Sequence, residues 1–401
     1  MLGILERKLH GRQYAYRRNR GAGAHLIEFR DFAREANRAG DYVYVASVDM
    51  DGAFDTVPHK LLVQTVEQLG VDPYVCRYLH KWLTKRIFTV RLQTATGRCY
   101  SSWRGIGRGV PQGGILSPFL WALHVDSLLE QVSQARLEYP AELVTVKACD
   151  LLYADDLLCA LAHHNPKVLE EAAGRTAGTR DETLGNKGLS RAILKSENFV
   201  LPPGRPDEES MFRRHPGQTG VRTRGRPRSA PTDGATRELE IDPMRGAEEP
   251  VMHISLPYSS VAYMKILGVT FDRDFTFEGH LRRLLSKAKI RLVLVKRVAS
   301  QSWGLVVGML RLTGEALVIS LLRYCFAVVG SGLPESLFRR IDNQVINPLA
   351  RQIAGVGPSA RIPVLHAVSG LYFAHNLFTQ HCGELLNLSL RAANSSIRER
   401  L

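Results

Sequence analysis

The segment LLYADDLLCAL (151–161) constrains the fold more than any other, because it places two adjacent carboxylates inside an apolar run. Buried carboxylates without a partner are so unfavourable that they take up a proton or acquire a cation. In a helix, Asp155 would lie on the apolar stripe with Leu151 and Leu158. Two short buried strands joined by a two-residue turn at Asp155 and Asp156 fit better, and such a hairpin presents both carboxylates together.

A third carboxylate ends another β-rich segment. YVYVASVD (42–49) is bounded by Gly and Asp on both sides, which predicts a strand that ends at Asp49. Clustered carboxylates suit a hard divalent ion such as Mg²⁺, which takes one or two of them plus substrate phosphates. Two such ions can align a hydroxyl with a phosphate for in-line displacement. Spacing alone does not prove that Asp49 meets Asp155 and Asp156.

The composition indicates a globular, nucleic-acid-binding chain. Its 401 residues are 45% apolar and 23% charged, which is typical of about two or three folded domains. The net charge of +14 favours a polyanionic partner, nucleic acid before membrane. The six cysteines form no C-x-x-C pair, so neither a zinc site nor a disulfide framework is indicated, and a reducing compartment fits best.

No segment has the pattern of a signal peptide or a membrane span. Charges interrupt the apolar residues of MLGILERKLHGRQYAYRRNRG (1–21) every few positions. GLVVGMLRLTGEALVISLL (304–322) contains Arg311 and Glu315 and is typical of an amphipathic helix.

Local signals predict several further elements. Pro58 should open a helix that stops at Gly70, and Asp72 should cap a second helix that starts at Pro73. RIFTVRL (86–92) is a strand candidate, and a helix is predicted over 119–132. In the second half, YMKILGVTFD (263–272) indicates a strand and a turn. Residues 280–298 predict a helix whose outer faces are basic, and these faces either bind a partner or are simply exposed to solvent. Residues 202–250 are too polar to fold alone and are predicted to be a disordered insertion.

Four motifs together resemble those of a known family. VDMDGAFDTV (48–57), GVPQGGILSPFL (109–120), LLYADDLLCAL and ILGVTFD (266–272) follow the order of reverse transcriptase palm motifs. The chain resembles the polymerase of non-LTR (LINE-type) retrotransposons over roughly 10–200 and 260–380, and the flanking patterns are similar to trypanosomatid ingi and L1Tc-type elements. Group II intron maturases and telomerase share the core but match this wording less well.

The resemblance implies an RNA-directed DNA polymerase that uses Mg²⁺ (or Mn²⁺), an RNA template, a DNA primer and dNTPs. Asp49 and Asp155 would be the main metal ligands, Met50 would assist through its carbonyl, and Asp156 would complete the acidic set unless it is only a turn residue. Phe54 would stack under the sugar and exclude a 2′-hydroxyl, or it could be a core residue. Lys195 would be a proton donor to pyrophosphate, or a solvated lysine.

The remaining site residues follow from the same resemblance. The nucleotide-binding set is Arg17, Ala53, Phe54, Gln112 and Gly113. Gln112 would touch the nucleotide or template base, unless its loop is a plain turn. QYAYR (13–17) resembles a Q-x-G-F-R fingers motif with Ala15 in place of glycine, and Arg17 would hold the triphosphate or be a surface residue. The primer grip would be Leu267, Gly268 and Val269.

The resemblance predicts an α+β right-hand polymerase, with an antiparallel palm sheet flanked by helices, partial fingers and a helical thumb. The expected divisions are 1–40 (partial fingers), 41–201 (palm with part of the fingers), 202–250 (disordered basic insertion), 251–278 (end of palm with the primer grip), 279–345 (thumb) and 346–401 (connector and C-terminal helices).

The family's first fingers strand would precede this chain, so we expect a truncated copy of a longer polyprotein. An intracellular protein that acts in the nucleus is implied. The alternatives are an inactive relic that only binds nucleic acid and, more weakly, a maturase-like RNA-binding protein.

Overall fold

The computed structural model describes residues 8–95, 97–203, 259–260, 263–272, 275–299, 304–331 and 333–391. The insertion predicted over 202–250 lies outside the described residues from position 204 onward. The described strands are, in chain order, β1 Tyr42–Asp49, β2 Ile87–Phe88, β3 Arg91–Thr94, β4 Gly97–Tyr100, β5 Arg104–Gly105, β6 Lys147–Tyr153, β7 Asp156–His163, β8 Glu197–Leu201, β9 Ser259–Ser260, β10 Met264–Ile266 and β11 Val269–Phe271.

Helices surround these strands. The described helices are α1 Ala22–Arg38, α2 Ala53–Thr56, α3 His59–Gln68, α4 Pro73–Thr84, α5 Ser117–Val125, α6 Ser127–Leu137, α7 Ala141–Val144, α8 Pro166–Asn186, α9 Glu278–Val298, α10 Val307–Gly314, α11 Ser320–Arg323, α12 Phe326–Gly330, α13 Glu335–Ile341, α14 Asn347–Ala354, α15 Ile362–Ser369 and α16 Ala374–Arg391. A short 3₁₀ turn covers Ile193–Lys195, and π-helical turns cover Glu315–Ile319 and Asp342–Ile346.

In the described part of the chain, β6, β7, β1, β8 and β9 form one sheet in that order. All neighbours are antiparallel except β8 and β9, which are parallel. The strand predicted over 42–49 is confirmed and lies at the centre of the sheet. The α+β class with an antiparallel palm sheet flanked by helices is therefore confirmed.

The sheet separates two apolar cores, because alternate side chains of β1 point to opposite faces. Val43 and Val45 join a cluster that contains α1, α9 and the helices after residue 304. Tyr44, Ala46 and Val48 join a second cluster with α3 to α6 and α8. The ends of the strands are thus held rigidly from both sides.

The predicted hairpin is present, but its turn lies one residue earlier than expected. Tyr153 pairs with Asp156, so the two turn residues are Ala154 and Asp155, and Asp156 is the first residue of β7. The shift has a long-range cause, since Asp156 is also held opposite Asp49 of β1. Ala154 adopts φ 56, which is unfavourable for a residue with a Cβ.

Local boundaries were predicted well where the signal is local. The helix after Pro58 and the one capped by Asp72 are confirmed, with the Asp72 carboxylate accepting from the Tyr74 N–H at 2.7 Å. The strand over 86–92 is wrong as a single element. Val90 N–H bonds the Ser101 hydroxyl at 2.9 Å instead of a backbone partner, which divides the segment into β2 and β3.

The helix predicted over 119–132 is also wrong in its limits. It begins earlier, at Ser117, because Pro118 is favoured in the first turn of a helix. It then divides at Asp126 into α5 and α6, and α6 continues to Leu137. The Asp126 carboxylate accepts from the His10 N–H at 2.9 Å, a tertiary contact that no local pattern reveals.

The helix predicted over 280–298 is confirmed as α9, which begins at Glu278. Strand and turn over 263–272 are confirmed as β10 and β11. Helices on both sides of residue 345 share one apolar cluster, so the boundary between thumb and connector stays a prediction, as do the other domain limits. No helix of the described chain is long and apolar enough to cross a membrane.

Candidate active site

Three aspartates meet at one end of the palm sheet. Asp49 is the last residue of β1 and lies directly opposite Asp156, the first residue of β7. Asp155 occupies the adjacent turn. The structure therefore brings together the carboxylates that the sequence separates widely, and it does so through backbone pairing in a doubly packed sheet.

The negative charge of the three aspartates is only partly balanced by neighbouring cations. Burial first, and then the neighbouring carboxylates Asp155 and Asp49, raise the pKa of Asp156 to about 6. The Lys195 ammonium lies 3.1 Å from Oδ2 of Asp49, and this hydrogen-bonded contact raises the pKa of Lys195. Lys195 itself is largely exposed. One solvated cation thus faces three carboxyl groups.

The position of Lys195 follows from pairing at the end of β1. The Ala192 N–H donates to the Asp49 carbonyl at 2.8 Å, and the Asp51 N–H donates to the Ser190 carbonyl at 2.9 Å. Met50, which lies between them, forms a bridge with Arg191 and has a buried side chain. The 3₁₀ turn that follows then carries Lys195 to the acidic cluster.

A row of aromatic rings borders the aspartate turn. The Phe54 ring lies 5.6 Å from that of Trp121, at an interplanar angle of 30°. The Trp121 indole N–H donates to the Ala154 carbonyl at 2.9 Å and so fixes the turn. On its other side Phe54 meets the edge of Tyr16 at 6.4 Å. Phe54 is half-buried, which agrees with a packing role and leaves part of its ring accessible.

Sequence reasoning missed Tyr16 and Trp121. Tyr16 is the second of two tyrosines in the QYAYR stretch, and its left-handed backbone, φ 57, turns it toward the site. Burial raises the pKa of Tyr16, and the charge of Asp155 raises it further. The resemblance of QYAYR to the fingers motif was the available signal, but it pointed to Arg17.

The loop with Pro111 and Gln112 is tied to the helix that carries Phe54. The Gln112 side-chain amide donates to both carboxylate oxygens of Asp55, at 3.0 and 2.9 Å. Val110 N–H donates to the Phe54 carbonyl at 2.8 Å. Gly109 permits this approach, because a Cβ there would lie 2.7 Å from the Asp55 carbonyl oxygen and φ is +82°. Asp55 therefore positions Gln112.

The other nucleotide-binding candidates are placed differently. Ala53 is buried, and Gly113 is exposed in the loop with φ 81. The Arg17 guanidinium donates to the carbonyls of His10 at 2.6 Å and Gln13 at 3.2 Å. These bonds hold Arg17 against its own loop, so its predicted phosphate contact stays a prediction.

The predicted primer-grip residues form the turn between β10 and β11. Leu267 and Gly268 both have positive φ, 45° and 83°, and Val269 begins β11. The Tyr324 hydroxyl donates to the Leu267 carbonyl at 2.6 Å, which links the turn to the helical region that follows α9.

The acidic cluster offers the donor chemistry of a divalent metal site. Among the described residues, no three His, Cys, Asp or Glu side chains are gathered closely enough to enclose a metal ion. Mg²⁺ does not need such a cage, since one or two carboxylates, substrate phosphates and water complete its coordination. Asp49 and Asp156 are hard oxygen donors on neighbouring strands, and the raised pKa of Asp156 shows that added positive charge is favourable. The residues fit a divalent ion.

Comparison with known proteins identifies the family to which this part of the chain belongs. Residues 2–199 match the model of the family described as "Reverse transcriptase (RNA-dependent DNA polymerase)". This part of the chain is a reverse transcriptase domain, related to those of non-LTR retrotransposons.

Three relatives come from mobile elements of insects. The chain is 29% identical to the Pol polyprotein from the type-1 retrotransposable element R2 of Popillia japonica over 50% of its own length and 28% of that protein. It is 32% identical to the 115 kDa protein of element R1DM of Drosophila melanogaster over 66% of its length and 20% of that protein. It is 30% identical to the RNA-directed DNA polymerase from mobile element jockey of Drosophila funebris over 36% of its length and 15% of that protein. The chain thus spans less than a third of each of these relatives.

Among solved structures, apo telomerase from Candida tropicalis is similar with a TM-score of 0.39 and 12% identity, covering 100% of this chain and 59% of that one. The same telomerase in complex with a fragment of telomeric RNA gives a TM-score of 0.42 and 11% identity, covering 99% and 54%.

Proposed function

We propose that this chain is an RNA-directed DNA polymerase of a non-LTR retrotransposon, which joins nucleotides to the 3′-hydroxyl of a primer. The observation that carries the proposal is the convergence of Asp49, Asp155 and Asp156 at two adjacent strand ends, within the part of the chain that matches the reverse transcriptase family.

The acidic cluster would hold Mg²⁺ (or Mn²⁺) through Asp49 and Asp155, with the Met50 carbonyl and Asp156 completing the set. When bound, such ions lower the pKa of the attacking hydroxyl and neutralise charge on the phosphates. Lys195 would leave Asp49 as the ions enter and become free to donate a proton to the departing pyrophosphate. Its exposure gives the side chain room for this movement.

The nucleotide would lie between the aspartate turn and the Gln112 loop. Phe54, supported by Tyr16 and Trp121, would block a 2′-hydroxyl. Gln112, held by Asp55, would contact the nucleotide or template base beside Gly113, with Ala53 at the base of the pocket and Arg17 reaching the triphosphate after exchanging its carbonyl partners.

The primer end would rest on the turn of Leu267, Gly268 and Val269. The basic helix α9 would grip the template–primer duplex through its phosphates. The chain is strongly basic overall, which supports a nucleic acid partner. A specific kinship with ingi and L1Tc-type elements and nuclear action belong to the same proposal.

Primer extension on poly(rA)/oligo(dT) with Mg²⁺ tests the proposal. The wild-type chain should extend the primer, and Asp155→Asn should lower the rate at least about a hundredfold, because the variant would lose a ligand of the metal ions that stabilise negative charge in the transition state. Glu171→Gln, in an exposed ion pair with Arg175 on α8, is the matched control and should retain the rate.

Sugar selection can be measured in the same assay. Phe54→Val should incorporate ribonucleotides more readily than the wild-type chain while still extending with dNTPs. If the intact chain does not extend any primer and binds duplex as tightly as Asp155→Asn, the protein is an inactive relic that only binds nucleic acid.

A further inference from the structure

A two-stranded projection, which we call the ribbon (residues 87–95 and 97–105), extends from the body of the protein. β2 pairs with β5 and β3 pairs with β4. Between these pairs, Ser101 N–H donates to the Val90 carbonyl at 2.9 Å and the Thr89 hydroxyl donates to the Ser101 carbonyl at 2.7 Å. The ribbon is therefore continuous, and the side chains of its four strands are almost entirely exposed.

The outer part of the ribbon has two chemically different faces. Arg91 lies opposite Tyr100, and Gln93 lies opposite Arg98. Because directly opposed residues and alternate residues share a face, these four side chains form one surface. The other face carries small or apolar side chains, namely Leu92, Thr94 and Cys99. One face thus combines two guanidinium groups, a phenol and an amide.

The charged residues that flank the ribbon along the sequence are all basic. No Asp or Glu occurs between Asp72 and Asp126. Nearer the base of the ribbon, Arg104 lies opposite Phe88, and the Trp103 side chain is 68% exposed. An exposed set of aromatic rings alternating with arginines is costly to leave in water and suits a polyanion with stacking surfaces.

The base of the ribbon is anchored to the active-site loop. Arg86, immediately before β2, donates to the Gly109 carbonyl and, at 3.1 Å, to the Leu83 carbonyl. Gly109 begins the loop that carries Gln112. A nucleic acid strand bound along the ribbon would therefore lead directly to the position proposed for the template base.

We propose that the Arg91–Tyr100–Gln93–Arg98 face of the ribbon binds single-stranded RNA. Tyr100 stacks on a base, Arg91 and Arg98 contact phosphates, and Gln93 can bond the 2′-hydroxyl that distinguishes RNA from DNA. The proposal rests on the proposed function only in naming this RNA as the template that approaches the site. The alternative is that this face is only exposed to solvent and binds no partner.

Fluorescence anisotropy with labelled oligo(rU) in EDTA tests the proposal without any catalysis. The variant Arg91→Ala/Arg98→Ala/Tyr100→Ala should bind at least about tenfold more weakly, because stacking on one aromatic ring alone contributes about 1–3 kcal/mol. The slope of log K against log salt should fall in magnitude by about 1.4, because two phosphate contacts are lost. The control Leu92→Ala alters only the opposite face and should bind like the wild-type chain.

Several results would overturn the assignment. These are unchanged oligo(rU) affinity in the triple variant, an equal loss in the opposite-face control, or an equal loss of affinity for duplex. Equal binding of matched single-stranded DNA would refute the choice of RNA. A triple variant that is monomeric where the wild-type chain is dimeric in sedimentation would identify the face as a contact between copies.

The two proposals can fail separately. If Asp155→Asn abolishes extension and the triple variant binds oligo(rU) normally, the polymerase stands and the ribbon proposal falls. If no extension is found but the triple variant loses oligo(rU) binding, the ribbon proposal stands without the polymerase.

Discussion

Asp156 shows how one residue can be unfavourable for folding and favourable for a site. Its pKa is raised from 3.8 to about 6 by burial and by Asp155 and Asp49. The folded protein therefore holds a proton that the unfolded chain has released between these values, and stability must fall as the pH rises through this window.

Asp156→Asn should therefore stabilise the protein at neutral pH. We expect the free energy of unfolding to increase by about 1 kcal/mol at about pH 7.5, after allowance for solvent screening of this half-buried group. The gain should shrink as the pH is lowered toward 5. Urea unfolding at both pH values measures it, and a variant less stable than the wild-type chain at neutral pH would show that burial and carboxylate repulsion do not destabilise the folded state at this position.

Magnesium provides the matched control for this residue. Mg²⁺ should raise the unfolding midpoint of the wild-type chain, because binding to the folded state alone stabilises it, and should raise that of Asp49→Asn/Asp156→Asn much less. Equal shifts in both proteins would place the ion elsewhere.

Single residues could be predicted only in part. The three aspartates and Gln112 were predicted from their motifs, and the structure brings the aspartates together and places Gln112 in the adjoining loop. The role of Asp55 as the acceptor that holds Gln112 could not be predicted, because it depends on a contact between distant parts of the chain. For the same reason Tyr16 was overlooked, since only the folded loop brings its ring to Phe54.

At the scale of elements, local chemistry predicted what it controls. The Asp72-Pro73 start of α4 and the strand β1 were predicted correctly because capping and alternation are encoded in a few neighbouring residues. The aspartate turn was displaced by one residue because β1 fixes the register of β7. The break between β2 and β3 depends on the Ser101 hydroxyl, which no pattern within 86–92 contains.

The turn between β10 and β11 depends on a hydrogen bond from the following helical region. Tyr324→Phe removes the bond to the Leu267 carbonyl and should cost about 1 kcal/mol. Hydrogen exchange of residues 264–271 should become faster by a similar free energy. Tyr372→Phe, at another half-exposed tyrosine, is the control. Unchanged exchange in Tyr324→Phe would show that packing alone holds the turn.

At the scale of the whole molecule, the core behind the site contains a buried ion pair. Arg136 of α6 donates to both carboxylate oxygens of Asp150 in β6, one at 2.9 Å, and the side chains are only 14% and 7% exposed. The pair joins the sheet to the helices of the second core. Its geometry was not predictable, since nothing in the sequence relates these two positions.

Asp150→Ala should be strongly destabilising, because it leaves the Arg136 guanidinium buried without its partner. We expect a loss of about 3–5 kcal/mol in the free energy of unfolding, and recovery of much of it in Arg136→Met/Asp150→Leu. Chemical denaturation provides the values. The exposed pair Arg175–Glu171 serves as the control, where Glu171→Gln should cost less than about 1 kcal/mol. Similar losses of unfolding free energy at both pairs would show that burial does not make the Arg136–Asp150 pair more important for stability.

The central position of β1 also governs how the protein emerges from the ribosome. β1 is made early, yet both neighbours that cover its edges, β7 and β8, are made much later. At translation rates of about 5–20 residues per second, a strand apolar on both faces must wait for several seconds with its backbone unpaired. The nascent chain therefore depends on temporary protection of β1. The aspartate cluster can form only after β7 has left the exit tunnel, and the second edge of β1 is covered only after β8 has followed.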